Sequence, residues 1–339
     1  MNSKTSPVRC NLCQSDNPKI AYTKFGLNLV RCKNCGLIYA HPRLRHDEII
    51  KRYNDSYFYD EYLPIFEATR NSFDLEILKS HYSDFLSLIE TYSCLEKNLI
   101  DVGCGPGFFL KAAEEWGWQT KGVEISKVAA DYANKVVHVD VYNGRLEDAE
   151  LPSGSFNVVT LLDVIEHLEN PKQTLRQIHR ILNKGGKIIL NTPDYYSLSR
   201  NILKKDWAVL SPAEHLYNFS QKTLSQMLSE AGFRVIEIQN LFSFDPDCTH
   251  NKKSWRYKIW KTLYGKMKEK TILKKIYFFE RSRHTEISQS DTEKKHKDIH
   301  SSWNKKFKLR IYKTLKKCFR GDKIIAVAEK IEHESETDQ

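Results

Sequence analysis

Four cysteines and one glycine-rich turn carry most of the chemistry legible in this chain. Cys10-x-x-Cys13 and Cys32-x-x-Cys35 form two pairs separated by 18 residues. Two such knuckles present four thiolates to one tetrahedral metal, and the spacing is that of a zinc ribbon. A closed four-sulfur site keeps no open position, so the expected role of Cys10, Cys13, Cys32 and Cys35 is structural. The metal stabilises an N-terminal module too small to hold a core of its own. A redox pair and unrelated thiols are the alternatives. Cys94, Cys104, Cys248 and Cys318 are scattered and read as buried or incidental thiols.

The second feature runs Leu99-Ile100-Asp101-Val102-Gly103-Cys104-Gly105-Pro106-Gly107-Phe108-Phe109-Leu110. An apolar run reads as a buried strand, and the pattern after the glycines reads as a helix. The glycines permit a turn whose backbone approaches a ligand without Cβ clashes, and the helix start offers free N–H groups. Gly122-Val123-Glu124 closes a second strand about twenty residues on, where a nucleoside-binding sheet places the acid that holds ribose hydroxyls. A dinucleotide-binding dehydrogenase half is the alternative reading.

At these residues the chain resembles the class I S-adenosylmethionine-dependent methyltransferases. Asp-x-Gly-x-Gly-x-Gly is their first motif, and Glu124 matches their ribose acid. Leu151 to Val159 is similar to the lead into their fourth strand, with Asn157 where the family usually has Asp. Asp163-Val164-Ile165-Glu166-His167-Leu168-Glu169-Asn170-Pro171 is similar to the segment after it. The resemblance covers residues 96–245. It implies S-adenosyl-L-methionine as cofactor, held by Asp101, Gly103, Cys104, Gly105, Gly107, Glu124, Glu147, Leu162, Asp163 and His167. It also implies an α/β fold: a Rossmann-like seven-stranded sheet with its last strand antiparallel. The second knuckle with Leu37, Ile38 and Tyr39, then Pro42, Tyr53 and Tyr57, resembles a bacterial group found among sugar and cell-surface glycan methyltransferases. Deoxysugar C-methyltransferases also carry a zinc module, but this chain shows no match to their additional C-terminal domain.

A sulfonium methyl is already activated, so an alcohol acceptor needs alignment and a base. His215, with Glu214, lies in Ser211-Pro212-Ala213-Glu214-His215-Leu216-Tyr217-Asn218-Phe219-Ser220. This loop follows the fifth strand on its carboxyl side, where open α/β sheets bind substrate. It resembles the Glu-His-Leu block of sugar methyltransferases, in some of which the matching His is the base. An imidazole suits proton removal near neutrality. A structural, loop-ordering His215 is the alternative. His167 is expected to flank the cofactor rather than act as base, and Glu166 to be an orienting or structural acid.

These residues need a sheet to position them. Strands are expected near 98–102, 120–125, 137–141, 157–162 and 186–191, alternating with helices, which implies parallel pairing. Pro171 starts a helix running to about Leu182, which Gly185-Gly186 ends. Ser220 caps a helix that stops at Gly232, Phe233 to Leu241 is a sixth strand, and Lys323 to Ala328 is the last. The expected organisation is a zinc ribbon at 1–45, a helical linker or lid at 46–95, a core at 96–245 and 321–331, and a basic helical insertion at 246–320. Tyr53, Tyr57, Tyr59 and Tyr62 either pack ribbon on core, or form a lid over the cofactor or a sugar-stacking wall.

The chain has 339 residues, 40% apolar, with a net charge of +10. Residues 251–319 alone hold 22 Lys and Arg against 6 Asp and Glu. Trp255, Ile259, Leu263, Met267, Phe307, Ile311 and Leu315 are interleaved at helical spacing. An anionic membrane face, nucleic acid, and an ordinary solvated face are the candidate readings. No 18-residue apolar run and no apolar leader occur, so the expected location is cytoplasmic, with the basic segment at the inner membrane face. The expected function is methyl transfer to a sugar hydroxyl or sugar carbon of a nucleotide-linked or lipid-linked glycan precursor. An RNA-modifying methyltransferase and a non-catalytic cofactor-binding scaffold are the alternatives.

Overall fold

The computed structural model describes residues 4–92, 96–204, 207, 209–241 and 321–332. The chain divides into two units: Met1–Tyr195 with Ala208–Asn240 and Lys323–Gln339, and Tyr196–Trp207 with Leu241–Asp322. The expected basic insertion lies outside the described residues, as do Cys94, Cys248 and Cys318.

The N-terminal module consists of β1 (Thr5–Ser6), β2 (Pro18–Lys24), β3 (Leu27–Cys32), β4 (Ile38–Ala40) and β5 (Arg43–Leu44). Its core is small: Leu12, Leu29, Leu37, Ile38 and Tyr39 are buried. The helical linker expected over 46–95 is interrupted. It holds α1 (His46–Ile50), a π-helical turn at Tyr57–Tyr62, a 3-10 turn at Leu63–Phe66 and α2 (Leu75–Tyr92). Pro64 starts the 3-10 turn and the left-handed Glu67 ends the middle stretch, where Phe58 and Leu63 are buried in the main core.

The core alternates β6 (Asn98–Val102), α3 (Phe108–Glu114), β7 (Gln119–Glu124), α4 (Lys127–Tyr132), β8 (Val141–Asn143), β9 (Phe156–Leu162), α5 (Pro171–Ile181) and β10 (Leu182–Pro193). In the second unit, α6 (Leu198–Leu203) is N-capped by Ser197. The first unit continues with β11 (Tyr217–Asn218), α7 (Gln221–Glu230), β12 (Phe233–Leu241) and β13 (Lys323–Lys330). Asn170 caps α5 ahead of Pro171, and Ser220 with Thr223 forms a capping box on α7, which satisfies backbone donors that each helix start leaves open.

The main sheet has the order β12-β13-β10-β9-β6-β7-β8. β8, β7, β6, β9 and β10 are parallel neighbours, and β13 runs antiparallel to β10. This is the expected seven-stranded sheet with its last strand antiparallel. Strand order reverses between β6 and β9, so a crevice opens beyond their carboxyl ends.

Two local expectations are corrected. The third strand starts at Val141, not 137, because Ala133–Val137 forms a π-helical turn ended by the left-handed His138. The Asn134 side chain bonds to Ala130, to Val141 N–H and to Val141 C=O, which holds that turn. Gly185-Gly186 does not end α5. The helix stops at Ile181, and the glycines sit in a bulge of β10, between Leu182 and Lys187.

Candidate active site

The glycine turn caps the crevice. Gly103, Gly105 and Gly107 all have φ between 54° and 75°, a region that L side chains rarely adopt. A Cβ on Gly103 would come within 2.6 Å of Val164, and one on Gly105 within 3.1 Å of the Tyr62 hydroxyl. The turn therefore packs closely on the segment after β9 and on the tyrosine-rich turn at once. Asp101 is buried, accepts the Thr160 hydroxyl at 2.6 Å, and is pushed up to about 7 by burial. Cys104 is buried, and burial raises its thiol well above the usual range.

Glu124 ends β7 beside this turn. One carboxylate oxygen accepts Gly105 N–H at 2.8 Å and the other accepts Ser126 N–H at 2.7 Å. A carboxylate has about four acceptor positions, so lone pairs remain for two vicinal hydroxyls. Burial raises its pKa, and the two amides oppose that. Tyr53, Tyr57 and Tyr62 feel the Glu124 charge, though burial is the larger cause of their raised pKa values. The cradle of left-handed glycines and the buried Glu124 fit a nucleoside cofactor.

Beyond β9 the chain turns sharply. Asp163 has φ 57°, its N–H bonds to the Asn191 side chain at 2.7 Å, and its carboxylate pairs with Lys323. Leu162 is the residue before it, the last of β9. Glu147 does not stand free in the crevice. Its carboxylate accepts the Thr174 hydroxyl of α5 at 2.8 Å, so it anchors a helix.

His167 and His215 come together from positions 48 residues apart, with ring centroids 4.6 Å apart. His167 Nδ1 lies 2.9 Å from the Glu214 carbonyl, and His215 Nδ1 lies 2.6 Å from the Val209 carbonyl. A carbonyl only accepts, so each Nδ1 carries the proton and each Nε2 keeps a lone pair. Burial lowers both imidazole pKa values, and both are neutral at pH 7. Glu214 enters differently from the sequence expectation. Its carboxylate is taken by Arg52 at 3.1 Å and Ser211 at 3.2 Å, so it positions the loop rather than reacting.

Glu166 is the residue that sequence reasoning undervalued. One oxygen accepts the Thr192 hydroxyl at 2.9 Å, while the other is buried without a partner. Burial, then the Asp163 charge, pushes its pKa up to about 7. One donor atom each from Glu166, His167 and His215 lies within 4.8 Å of the others. Such a cluster of acceptors suits a shared proton or a divalent cation.

The cysteine module supports this loop directly. Its sheet has the order β11-β4-β3-β2, so Tyr217–Asn218, separated from His215 by Leu216, form its fourth strand. Ala40 N–H donates to the Leu216 carbonyl at 2.9 Å, and Arg43 donates to the Glu169 carbonyl at 2.8 Å. Asn11 and the start of α5 are also bonded, through Asn170 at 2.8 Å and Lys172 N–H at 3.1 Å. Within the module, Cys10 and Cys35 sulfurs are 3.5 Å apart, as are those of Cys13 and Cys32. That is far beyond a disulfide of about 2.05 Å, and near the roughly 3.8 Å edge of a tetrahedron built on 2.3 Å metal–sulfur bonds. All four sulfurs lie within 4.8 Å of one another.

The comparisons with known proteins follow this geometry. The family described as "Methyltransferase domain" matches residues 75–238. The ubiquinone biosynthesis O-methyltransferase of Pseudomonas aeruginosa is 31% identical over 174 residues, covering 46% of this chain and 72% of the relative. The chain belongs to the class I S-adenosylmethionine-dependent methyltransferases. The mitochondrial ubiquinone biosynthesis O-methyltransferase of Schizosaccharomyces pombe is 30% identical over 152 residues, 42% of this chain. The chain spans about half the length of that relative, 53%. A solved methyltransferase structure from Archaeoglobus fulgidus has a TM-score of 0.46 at 18% identity, covering 76% of this chain and 95% of that one. The relatives named here act in ubiquinone biosynthesis, whereas the sequence resemblance pointed to glycan methyltransferases. Among the described residues no helix is long and apolar enough to cross a membrane.

Proposed function

We propose that this chain transfers a methyl group from S-adenosylmethionine to a hydroxyl of its acceptor, with His215 as the base. The half-buried His215, with Nδ1 tied to a carbonyl and Nε2 open, carries this reading. Gly103 to Gly107 and Glu124 hold the cofactor, which supplies an activated sulfonium methyl when bound. His215 Nε2 would take the hydroxyl proton as the acceptor oxygen displaces sulfur from the methyl carbon, the carbon–sulfur bond breaking to leave a neutral thioether. Glu166, within 4.8 Å, stabilises the imidazolium that results. His167 walls the pocket, and Tyr53 with the turn bearing Tyr57 and Tyr62 excludes water.

Two acceptor classes follow. The ribbon and the Glu-His-Leu block favour a sugar hydroxyl on a nucleotide-linked or lipid-linked precursor. The relatives' names favour an acceptor of the kind O-methylated in ubiquinone biosynthesis. Screening both classes, with RNA as a third arm, for label from methyl-labelled cofactor separates them. Transfer to no hydroxyl contradicts the proposal, and transfer only to RNA contradicts both acceptor classes. Cys10, Cys13, Cys32 and Cys35 hold one structural zinc in this reading, and residues 251–319 meet an anionic surface.

A second reading of the trio has one observation in its favour: the partnerless Glu166 oxygen beside two imidazoles. A divalent cation there would activate the hydroxyl in place of a free base. Activity lost to chelation and restored by magnesium, with the ribbon metal retained, selects it.

A further inference from the structure

Both imidazoles of the site take their aim from one short loop. His215 Nδ1–H donates to the Val209 carbonyl, and His167 Nδ1–H donates to the Glu214 carbonyl. Within the loop, Ser211 N–H bonds to the Val209 carbonyl at 2.9 Å, and the Glu214 and His215 N–H groups bond to the Ser211 carbonyl at 3.1 and 2.8 Å. Pro212 has no N–H to add. The Glu214 carboxylate joins this loop to another element. One of its oxygens accepts the Ser211 hydroxyl from within the loop and the Arg52 guanidinium from the segment after α1.

Arg52 has a second contact. Asn54 accepts Tyr57 N–H at 2.9 Å and donates to the Lys51 carbonyl at 3.1 Å, which folds the chain back on itself. The Arg52 guanidinium then lies 5.5 Å from the Tyr57 ring centroid. The Tyr57 and Tyr62 rings are 6.4 Å apart, and Tyr62 packs on Gly105. One guanidinium therefore touches both the loop that aims the imidazoles and the tyrosine turn beside the glycines. Arginine suits this place, because its edge bonds a carboxylate while its face meets an aromatic ring. The side chain is 47% exposed, so the pair adds little to stability. What it governs is geometry, and a displacement of about 1 Å in a reacting group costs roughly 100-fold in rate.

We propose that Arg52 is a positioning residue: by holding Glu214 it fixes the loop that aims His167 and His215. This role rests on the reading of His215 as the base, but the tie can be measured without an acceptor. The test uses the full chain as wild type, Arg52→Ala, Arg52→Lys and Glu214→Gln. Ring-nitrogen NMR of labelled histidine reads whether His167 and His215 each keep a single Nδ1–H tautomer. Single-turnover methyl transfer at saturating cofactor reads the rate, and calorimetry reads cofactor affinity. Arg52→Ala should mix the His167 tautomers and lower the rate about tenfold or more, with cofactor affinity and thermal midpoint close to wild type. Arg52→Lys keeps the charge and should restore part of both. Arg52→Ala combined with Glu214→Gln should cost no more than either alone, because the two remove one interaction. Wild-type tautomers or a wild-type rate in Arg52→Ala overturn the proposal, and so do additive losses in the double variant. If no hydroxyl acceptor is found, the base reading fails, while the spectra still decide whether Arg52 sets the rings.

Discussion

Glu166→Gln is the substitution that separates a working carboxylate from a structural one. Gln keeps the size and still accepts the Thr192 hydroxyl. It removes the charge that lies within 4.8 Å of His215. At that distance and an effective dielectric of about 20, a carboxylate stabilises an imidazolium by roughly 3.5 kcal/mol. With half the proton transferred in the transition state, about half of this acts, a loss of roughly 20-fold in rate; full transfer gives roughly 300-fold. Since the Glu166 pKa sits at about 7, the effect is read at pH 8, where the group is ionised. The wild-type profile should rise once below pH 6.5, as the depressed His215 loses its proton, and again near 7 as Glu166 ionises. In Glu166→Gln the second rise disappears and the first stays in place, because Glu166 is still protonated and uncharged at the pH where His215 titrates. The assay is the pH dependence of single-turnover methyl transfer, with cofactor affinity by calorimetry alongside. An unchanged plateau rate and an unchanged second rise refute the electrostatic role. An equal loss of cofactor affinity would reduce Glu166 to a folding residue.

Other expectations follow from the same geometry. Glu124→Ala removes charge-assisted bonds worth about 1.5–3 kcal/mol each, so cofactor affinity measured by calorimetry should fall tenfold or more; unchanged affinity contradicts the assignment. Cys32→Ser should lower metal content from one equivalent and loosen the β4–β11 pairing. Amide exchange at residues 215–218 should then accelerate well before that of β6, and exchange unchanged in this loop would sever the ribbon from the active site. Asp101, raised to about 7 by burial, favours the folded state most below its unfolded pKa of about 4. That contribution is lost as pH rises through 7, so Asp101→Asn should flatten the fall in apo-protein thermal midpoint between pH 5 and 8.

Much of the core was readable because its signals are local. Alternate glycines between a buried run and a helix leave few conformations, and six of seven core strands lie where apolar runs place them. The third strand slipped because Val136, Val137 and Val139 look like a strand, yet the Asn134 side chain holds a π-helical turn through most of that run. Gly185-Gly186 misled in the same way, since a bulge and a helix end both call for left-handed residues. The site was less legible than the fold. His215 and Glu166 were visible as residues, but neither their separation nor the partnerless Glu166 oxygen can be inferred from spacing. The recruitment of Tyr217–Asn218 into the ribbon sheet is a two-residue pairing with no sequence period to betray it. It converts an apparently separate cysteine module into the support of the His215 loop.

The central claim is tested most directly by His215→Ala under single-turnover conditions with methyl-labelled cofactor and the hydroxyl acceptor found by screening. The account predicts a rate lower by about 10²–10⁴, with cofactor affinity and thermal midpoint close to wild type. A variant that folds, binds cofactor and transfers methyl at the wild-type rate would contradict it.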